Sequence, residues 1–315
     1  MTTPQVNEQL NVETLTWNGL TWVNIVPPTD QEIEYLAQNY PFHRLDLDDC
    51  LSRIQRPKID EYKEYLFFVL HFPVWRKKTR VAIYSQLSAF IGENYIVTLH
   101  AGDIKPLVKL FRDCQLNKES RQKNFGYGSG YLLYRIIDRA VDAYFPVLDK
   151  ILSLMEAVED RVFDEKIETA QELHILRRDI ITQRRIVFPM RAVVAQMESK
   201  VRRFTSTDMS PYFGDLLDHI NKQCESLDDS QEVIEIYKDS DFVLSTYHLN
   251  RVTRFLTILG SITLPFLVVA SIFGMNVALP GGAQTDSYLP LLFLLVIMLA
   301  FAGGMLYFFH RRGWI

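Results

Sequence analysis

Two long apolar runs near the C-terminal end stand out in the pattern of hydrophobic and polar positions. The first, at 255–273, reads FLTILGSITLPFLVVASIF, and the second, at 288–309, reads YLPLLFLLVIMLAFAGGMLYFF. Neither run contains a charged residue, and each is long enough for a helix that crosses a bilayer. A Gly- and Pro-rich segment between them favours a short loop. The pattern predicts two transmembrane helices, with a buried core helix as the alternative for each run.

Arginines flank the two runs on their outer sides. Arg251 and Arg254 precede the first run, Arg311 and Arg312 follow the second, and the loop between the runs contains no Lys or Arg. Basic residues next to membrane helices favour the cytoplasmic side. We therefore expect both termini to lie in the cytoplasm, with the chain anchored in the cell (inner) membrane and its lipid bilayer, and the loop outside.

The N-terminal part of the chain alternates between strand-like and helix-like patterns. Runs rich in β-branched and aromatic residues predict strands at 21–26, 65–72, 81–91 and 95–100. Gly92-Glu93-Asn94 separates the last two runs and predicts a hairpin. Helices are expected at 30–39 and 103–115. Together these elements predict a small α/β domain over residues 1–128.

After residue 128 the apolar positions recur with a period near 3.6, which indicates helices. The first helix is predicted at 131–163 and the second at 169–204. Pro146 and Pro189 lie inside these segments and are the expected kink points. The helical region predicts a stalk domain over residues 129–250.

A third helix is predicted to begin at Ser210-Pro211, where proline suits the first turn. No Gly or Pro follows between Asp215 and Gly260, so the helical pattern continues into the first apolar run. At ~1.5 Å per residue, sixty residues would form a rod of roughly 90 Å. The chain is therefore expected to be an α+β membrane protein with a transmembrane domain over residues 251–315.

The first apolar run differs from the second because small and polar residues recur along it at three- and four-residue steps. These residues are Asn250, Thr253, Thr257, Gly260, Ser261, Leu264, Ser271 and Gly274. Such steps place them near one face of a helix. The face is either a packing surface for other membrane helices or the lining of a pore. Two spans cannot enclose an aqueous path, so a pore would require several copies of the chain.

The composition hides a strong charge asymmetry. The chain has a mean hydropathy of −0.01 and a net charge of −4. The last 65 residues hold four arginines and one acid, whereas the first 250 hold 30 Lys and Arg against 37 Asp and Glu. An acidic chain without a basic stripe argues against a nucleic acid partner. No Walker loop, nucleophile elbow or metal-hydrolase motif is present, so an enzyme is not expected.

Acids are concentrated on the predicted third helix. Nine Asp and Glu occur between positions 212 and 241 against Lys222 and Lys238. Ile220, Leu227 and Ile234 recur every seven residues and predict a helix-packing seam. The acids form either a solvated face or a site for divalent cations between neighbouring copies, because hard cations prefer carboxylate oxygens. The three cysteines form no CxxC pair, which favours a reduced compartment.

The triplet Gly274-Met275-Asn276 closes the first apolar run, and a second run follows before a basic C-terminus. In this order of features the chain resembles the CorA-type divalent cation channels of prokaryotes. The likeness extends to QRPKIDEYKEYLFFVLHF at 55–72 and HRRGWI at 310–315, among other segments. The resemblance implies a homopentamer with a funnel-shaped cytoplasmic domain.

The resemblance also assigns roles to residues. Gly274, Met275 and Asn276 would form the selectivity filter, with Asn276 as the outer ring. Asn250, Thr253, Thr257, Leu264 and Leu267 would fall at the pore, where the two leucines would act as a hydrophobic gate. Asp239 matches a carboxylate position that binds regulatory metal between subunits. Considered alone, Asn276 could equally cap the C-terminus of a helix.

The resemblance implies Mg²⁺ as both the transported and the regulatory ion. Mg²⁺ dehydrates reluctantly, and a ring of neutral amide oxygens can hold a hydrated ion without retaining it. The loop NVALPGGAQTDS, whose only acid is Asp286, is nearer to the zinc-transporting branch. A transporter of Zn²⁺, Co²⁺ or Ni²⁺, with or without proton coupling, is therefore the alternative. A non-conducting, membrane-anchored scaffold is the third hypothesis.

Overall fold

The computed structural model describes residues 10–52, 55–76, 81–162, 169–275 and 289–314. Within these residues, six strands form one mixed sheet. The strands are β1 (Val12–Trp17), β2 (Leu20–Ile25), β3 (Lys58–Glu61), β4 (Leu66–Arg76), β5 (Val81–Ile91) and β6 (Tyr95–His100). Their order in the sheet is β1-β2-β6-β5-β4-β3. Only the β2–β6 pair is parallel, and the other neighbours are antiparallel.

Successive side chains along each strand point to opposite faces of the sheet, and both faces are buried. Trp22 and Phe68 point into one core, whereas Val23 and Phe67 point into a second core on the opposite face. The second core is completed by α1 (Asp30–Asn39) and α2 (Arg44–Leu51), and the first by the later helices. They include α3 (Lys105–Leu116), α4 (Lys118–Phe125), α5 (Ser129–Asp142), α6 (Phe145–Val162) and α7 (Ala170–Val201), and the helix that begins at Ser210 adds further side chains. The N-terminal α/β organisation predicted from the sequence is confirmed.

Two of the helices that pack on the sheet, α1 and α4, begin at recognisable capping residues. Thr29 and Glu32 form a capping box at the start of α1, which satisfies backbone N–H groups that have no partner inside the helix. Asn117 accepts hydrogen bonds from Glu119 N at 2.8 Å and Ser120 N at 3.4 Å at the start of α4. Local sequence therefore fixes where these helices start.

The helix predicted over 131–163 is in fact two helices. α5 ends at Asp142 and α6 begins at Phe145, so Pro146 lies in the first turn of α6. Proline is tolerated there because the N–H groups of a first turn have no intrahelical partner. The expected kink is therefore a helix boundary. Pro189, by contrast, lies inside α7.

The third predicted helix is confirmed as α8 (Ser210–Phe273), which has 64 residues and includes both Gly260 and Pro265. The second apolar run forms α9 (Leu289–Arg311). The chain divides into two compact units, 1–161 with 169–238 and 162–168 with 239–315, so α8 contributes residues to both. All three cysteines are free and buried.

α8, through its apolar run, and α9, over Leu292–Arg311, have the length and composition of membrane-crossing helices. Most of their large apolar side chains, such as Phe255, Leu267 and Phe293, are exposed in the single chain. Exposed apolar surface of this extent suits contact with lipid or with other helices rather than with water. The two predicted spans are thus present as helices, and the predicted loop between them lies outside the described residues.

Candidate ion pathway and acidic helix

The small and polar residues of the first span form a stripe along one side of α8. Asn250, Thr253 and Thr257 are exposed, and no charged side chain occurs from Phe255 to Met275. Thr257 Oγ1 donates a hydrogen bond to Thr253 O at 2.8 Å, which uses its proton within the helix. The oxygen lone pairs of Thr257 remain available to accept hydrogen bonds from a hydrated ion. We use the name α8 stripe for the helix face formed by Asn250, Thr253, Thr257, Gly260, Ser261, Leu264, Ser271 and Gly274.

An apolar step interrupts the stripe. Leu264 and Leu267 are 62% and 68% exposed, so neither side chain is used for packing inside the chain. They lie one helical turn apart and about 21–26 Å along the axis from Asn250, at 1.5 Å per residue. Apolar constrictions exclude water from a narrow pore, so these two leucines are a candidate gate.

The stripe ends with α8 itself. Gly274 N donates to Ala270 O at 2.9 Å and Met275 N donates to Ile272 O at 3.3 Å, which are the last hydrogen bonds of the helix. A Cβ atom at Gly274 would lie 3.2 Å from Ala270 O, closer than most side chains tolerate. The third residue of the triplet, Asn276, lies outside the described residues.

The acidic face of α8 is partly neutralised by α7. Arg177 Nε donates to Glu235 Oε1, and Lys238 Nζ donates to Glu235 Oε2 at 2.7 Å. The hydrogen bonds from Lys238 and Arg177 lower the pKa of Glu235. Arg184 lies 2.6 Å from an oxygen of Asp228. Several of the nine acids therefore have cationic partners within the same chain.

Asp239 is exposed, and it follows Lys238 on the same helix. The predicted seam of α8 faces the interior of the chain, whereas Asp239 faces solvent. Ile220, Leu227 and Ile234 are fully buried, and Ile220 and Leu227 belong to the larger of the two cores. The seam predicted from the heptad spacing is confirmed as a contact within one chain.

A cluster of titratable groups between α5 and α8 was not predicted from the sequence. His219 Nδ1 lies 2.9 Å from Asp142 Oδ1, and its Nε2 lies 3.9 Å from Asp215 Oδ1. Arg135 donates to Asp138 Oδ2 at 3.1 Å. Burial, together with the nearby charge of Asp142, raises the pKa of Asp138. The i, i+4 spacing within each helix was visible in the sequence, but the meeting of the two helices was not.

The acids of the described helix α8 do not by themselves form a metal site within one chain. Among the residues that the structure describes, no group of three or more His, Cys, Asp or Glu side chains is arranged to hold a metal ion. The α8 stripe and Asp239 therefore stand as candidates on position and chemistry.

Comparison with known proteins adds an independent line of evidence. The family model described as CorA-like Mg²⁺ transporter protein matches residues 17–311. A putative metal ion transporter of Bacillus subtilis, YfjQ, is 30% identical over 295 residues, covering 93% of this chain and 89% of the relative. The cobalt/magnesium transport protein CorA of Thermotoga maritima is 27% identical, covering 94% and 83%.

A solved structure and a further relative are also similar to this chain. The complete structure of the CorA magnesium transporter from Methanocaldococcus jannaschii superimposes with a TM-score of 0.78 at 20% identity, covering 96% of this chain and 94% of that chain. The zinc transport protein ZntB of Pectobacterium atrosepticum is 23% identical, covering 72% of this chain and 67% of the relative.

Proposed function

Because this chain belongs to the family of CorA-like Mg²⁺ transporters, we propose that it conducts Mg²⁺ across the cell (inner) membrane as a homopentamer. The family consists of divalent metal transporters of the membrane and not of enzymes, which supports conduction over a non-conducting scaffold. The observation that carries the proposal is the uncharged α8 stripe, which leads from Asn250 to the helix end at Gly274. Five copies of the stripe would line one axial path.

Asn276 would supply the outer ring of this path. A ring of neutral amide oxygens accepts hydrogen bonds from the water shell of Mg²⁺, an ion that gives up its waters reluctantly. A ring of carboxylates would bind the same ion more tightly, and conduction requires that the ion also leaves. The amide chemistry therefore favours throughput of a hydrated divalent cation.

Leu264 and Leu267 would form the gate. Side chains that are exposed in the single chain would meet their copies around the axis and exclude water from the closed pore. A small outward movement of the helices would hydrate this constriction.

Asp239 would sense the cytoplasmic concentration of Mg²⁺. Carboxylates of neighbouring copies repel one another, and a bound divalent cation relieves the repulsion. When Mg²⁺ is scarce, the acidic helices would separate and α8 would transmit that movement to the gate. This arrangement requires both termini to lie in the cytoplasm, which the arginines at both outer flanks favour.

The filter assignment is tested with Asn276→Ala in proteoliposomes that contain a Mg²⁺-sensitive dye. We expect Mg²⁺ uptake to fall to the background of empty liposomes while the oligomer elutes unchanged in size-exclusion chromatography. Asn39→Ala, at an exposed asparagine near the end of α1, is the matched control and should transport normally. Undiminished uptake by Asn276→Ala would overturn the filter assignment.

The regulatory assignment needs a different assay. Asp239→Asn should keep conducting when Mg²⁺ on the cytoplasmic side is raised to levels that close the unmodified channel. Glu225→Gln removes the same charge from an exposed position on the same helix and should close normally. Equal inhibition of all three proteins would contradict a role for Asp239.

Transport of Zn²⁺ is the second candidate, and the similarity to ZntB over 72% of the chain favours it. No His or Cys occurs between Phe255 and Phe309, so the spans offer none of the soft ligands that select zinc. Uptake of Mg²⁺ and of Zn²⁺ is therefore compared with and without a pH gradient. Zn²⁺ uptake that exceeds Mg²⁺ uptake and responds to the gradient would replace the first proposal with the second.

A further inference from the structure

A cavity of about 510 Å³ lies between the C-terminal end of α9 and the segment of α8 where the apolar run begins. Its α8 wall contains Tyr247, Arg251, Arg254 and Phe255. Its other wall is Trp314 with the backbone of Gly313. The cavity is therefore basic on one side and aromatic on both, and it lies where the two predicted spans end.

The chain closes this cavity by a specific turn after α9. Gly313 has a φ of +67°, a backbone conformation in which a residue with a side chain would be strained. Its N–H donates to His310 O at 3.0 Å. Trp314 N donates to Phe309 O at 3.0 Å. These two hydrogen bonds define a Schellman motif, in which the residue after the glycine packs against the last turn of the helix. The rings of Trp314 and Phe309 stack at 5.4 Å, so the indole is held in place.

The charge of the cavity is not compensated within the described part of the chain. Arg251 and Arg254 are exposed, and neither forms a salt bridge with a described residue. No acidic side chain is among the described residues that line the cavity. Arg311 and Arg312 are close in sequence to its aromatic wall and add positive charge. An anion would meet two guanidinium groups and no carboxylate.

The cavity is not part of the α8 stripe. Tyr247, Arg251, Arg254 and Ile258 follow one another at steps of four, three and four residues, which places them on one face of α8. At 3.6 residues per turn this face is rotated by roughly 100° from the face of Asn250, Thr253 and Thr257. A residue change in the cavity therefore leaves the predicted pore lining intact.

We propose that this cavity binds the phosphate headgroup of an anionic phospholipid. Arginine pairs with phosphate through two parallel hydrogen bonds. Trp and Tyr are enriched at the depth of lipid headgroups, and basic pockets between membrane helices recognise anionic headgroups. The apolar wall formed by Phe255 and Ile258 is the first turn of the first span and suits the start of an acyl chain. The lipid would fix the end of α9 to α8 next to the membrane surface.

The first test measures lipid binding to the full-length protein in detergent by native mass spectrometry. The probes are dioleoyl phosphatidylglycerol and dioleoyl phosphatidylcholine. We expect preferential binding of phosphatidylglycerol, and an affinity about 30-fold lower in Arg251→Gln/Arg254→Gln. Arg112→Gln/Arg185→Gln removes the same charge from exposed positions of α3 and α7 and should bind normally. Equal binding of the two lipids, or displacement of phosphatidylglycerol by equimolar inorganic phosphate, would overturn the proposal.

A second measurement does not depend on the arginine variants folding. Brominated lipids quench tryptophan fluorescence only at short range, and the other tryptophans, Trp17, Trp22 and Trp75, belong to the N-terminal unit. Brominated phosphatidylglycerol should quench the reconstituted protein more than brominated phosphatidylcholine does, and Trp314→Phe should abolish the difference. Equal quenching by both lipids, or a difference that persists in Trp314→Phe, would refute the site.

Discussion

His100 at the end of β6 is expected to make the N-terminal unit sensitive to acid. The residue is 2% exposed, and both ring nitrogens are hydrogen-bonded. Nε2 lies 3.1 Å from Asn24 Oδ1, which can only accept, so Nε2 carries the proton. Gly102 N donates to Nδ1 at 3.1 Å. A second proton on Nδ1 would face the Gly102 N–H and break that hydrogen bond.

The magnitude follows from the proton affinities of the two states. Burial lowers the pKa of His100 from 6.5 to about 4 in the folded chain. The unfolded chain therefore takes up the proton first, and the stability falls as the pH falls from about 6.5 toward about 4. Between pH 7 and pH 5 this single group should remove about 2 kcal/mol from the free energy of unfolding.

Urea unfolding of the full-length protein at pH 7 and pH 5 measures this effect, with Trp22 as a nearby fluorescent reporter. The indole N–H of Trp22 donates to Thr98 Oγ1 at 3.0 Å in the same buried chain of hydrogen bonds. His100→Gln does not titrate, so its stability deficit relative to the unmodified protein should shrink by about 2 kcal/mol between pH 7 and pH 5. Gln196→Ala, at an exposed position of α7 that does not titrate, should keep a constant difference. A deficit of His100→Gln that stays constant with pH would refute the reasoning.

Two further predictions concern α8. Leu264→Asn should raise the Mg²⁺ leak through the closed channel in proteoliposomes, because a polar side chain hydrates an apolar constriction. Leu295→Asn on α9 is the control and should not raise the leak. A Leu264→Asn channel that leaks no more than the unmodified channel would contradict the gate. Leu227→Ala should lower the free energy of unfolding by about 2–5 kcal/mol because its side chain is fully buried in the core. Ile236→Ala, at a 55% exposed position of the same helix, should lower the free energy of unfolding by far less. Equal losses of stability in the two variants would show that burial of the seam does not stabilise α8.

Elements with strong hydrophobic periodicity could be predicted from the sequence, and short or polar elements could not. The predicted strand at 95–100 coincides with β6, whereas β3, Lys58–Glu61, has three charged residues in four and was missed. Its strand conformation is provided by antiparallel pairing with the long apolar β4. β1 was missed for a related reason, since it is an edge strand with half-exposed or exposed side chains. In both cases a neighbouring strand decides the structure.

The candidate site divides in the same way. The α8 stripe could be found because its residues share one helix, and their spacing alone places them on one face. The contact of His219 with Asp142 joins α8 to α5 across 77 positions in sequence, which periodicity cannot reveal. The roles of Asn276 and Asp239 stay predictions, because they depend on neighbouring copies of the chain.

The buried state of the cysteines has a practical consequence for chemical labelling. Burial raises the pKa values of Cys50, Cys114 and Cys224, that of Cys224 to about 11. Only the thiolate reacts with maleimides and methanethiosulfonates, so the native thiols should not react with these reagents at neutral pH. Single cysteines placed along the α8 stripe can then be modified in an otherwise natural chain. Their labelling rates, with and without Mg²⁺, would map which positions face water in each state.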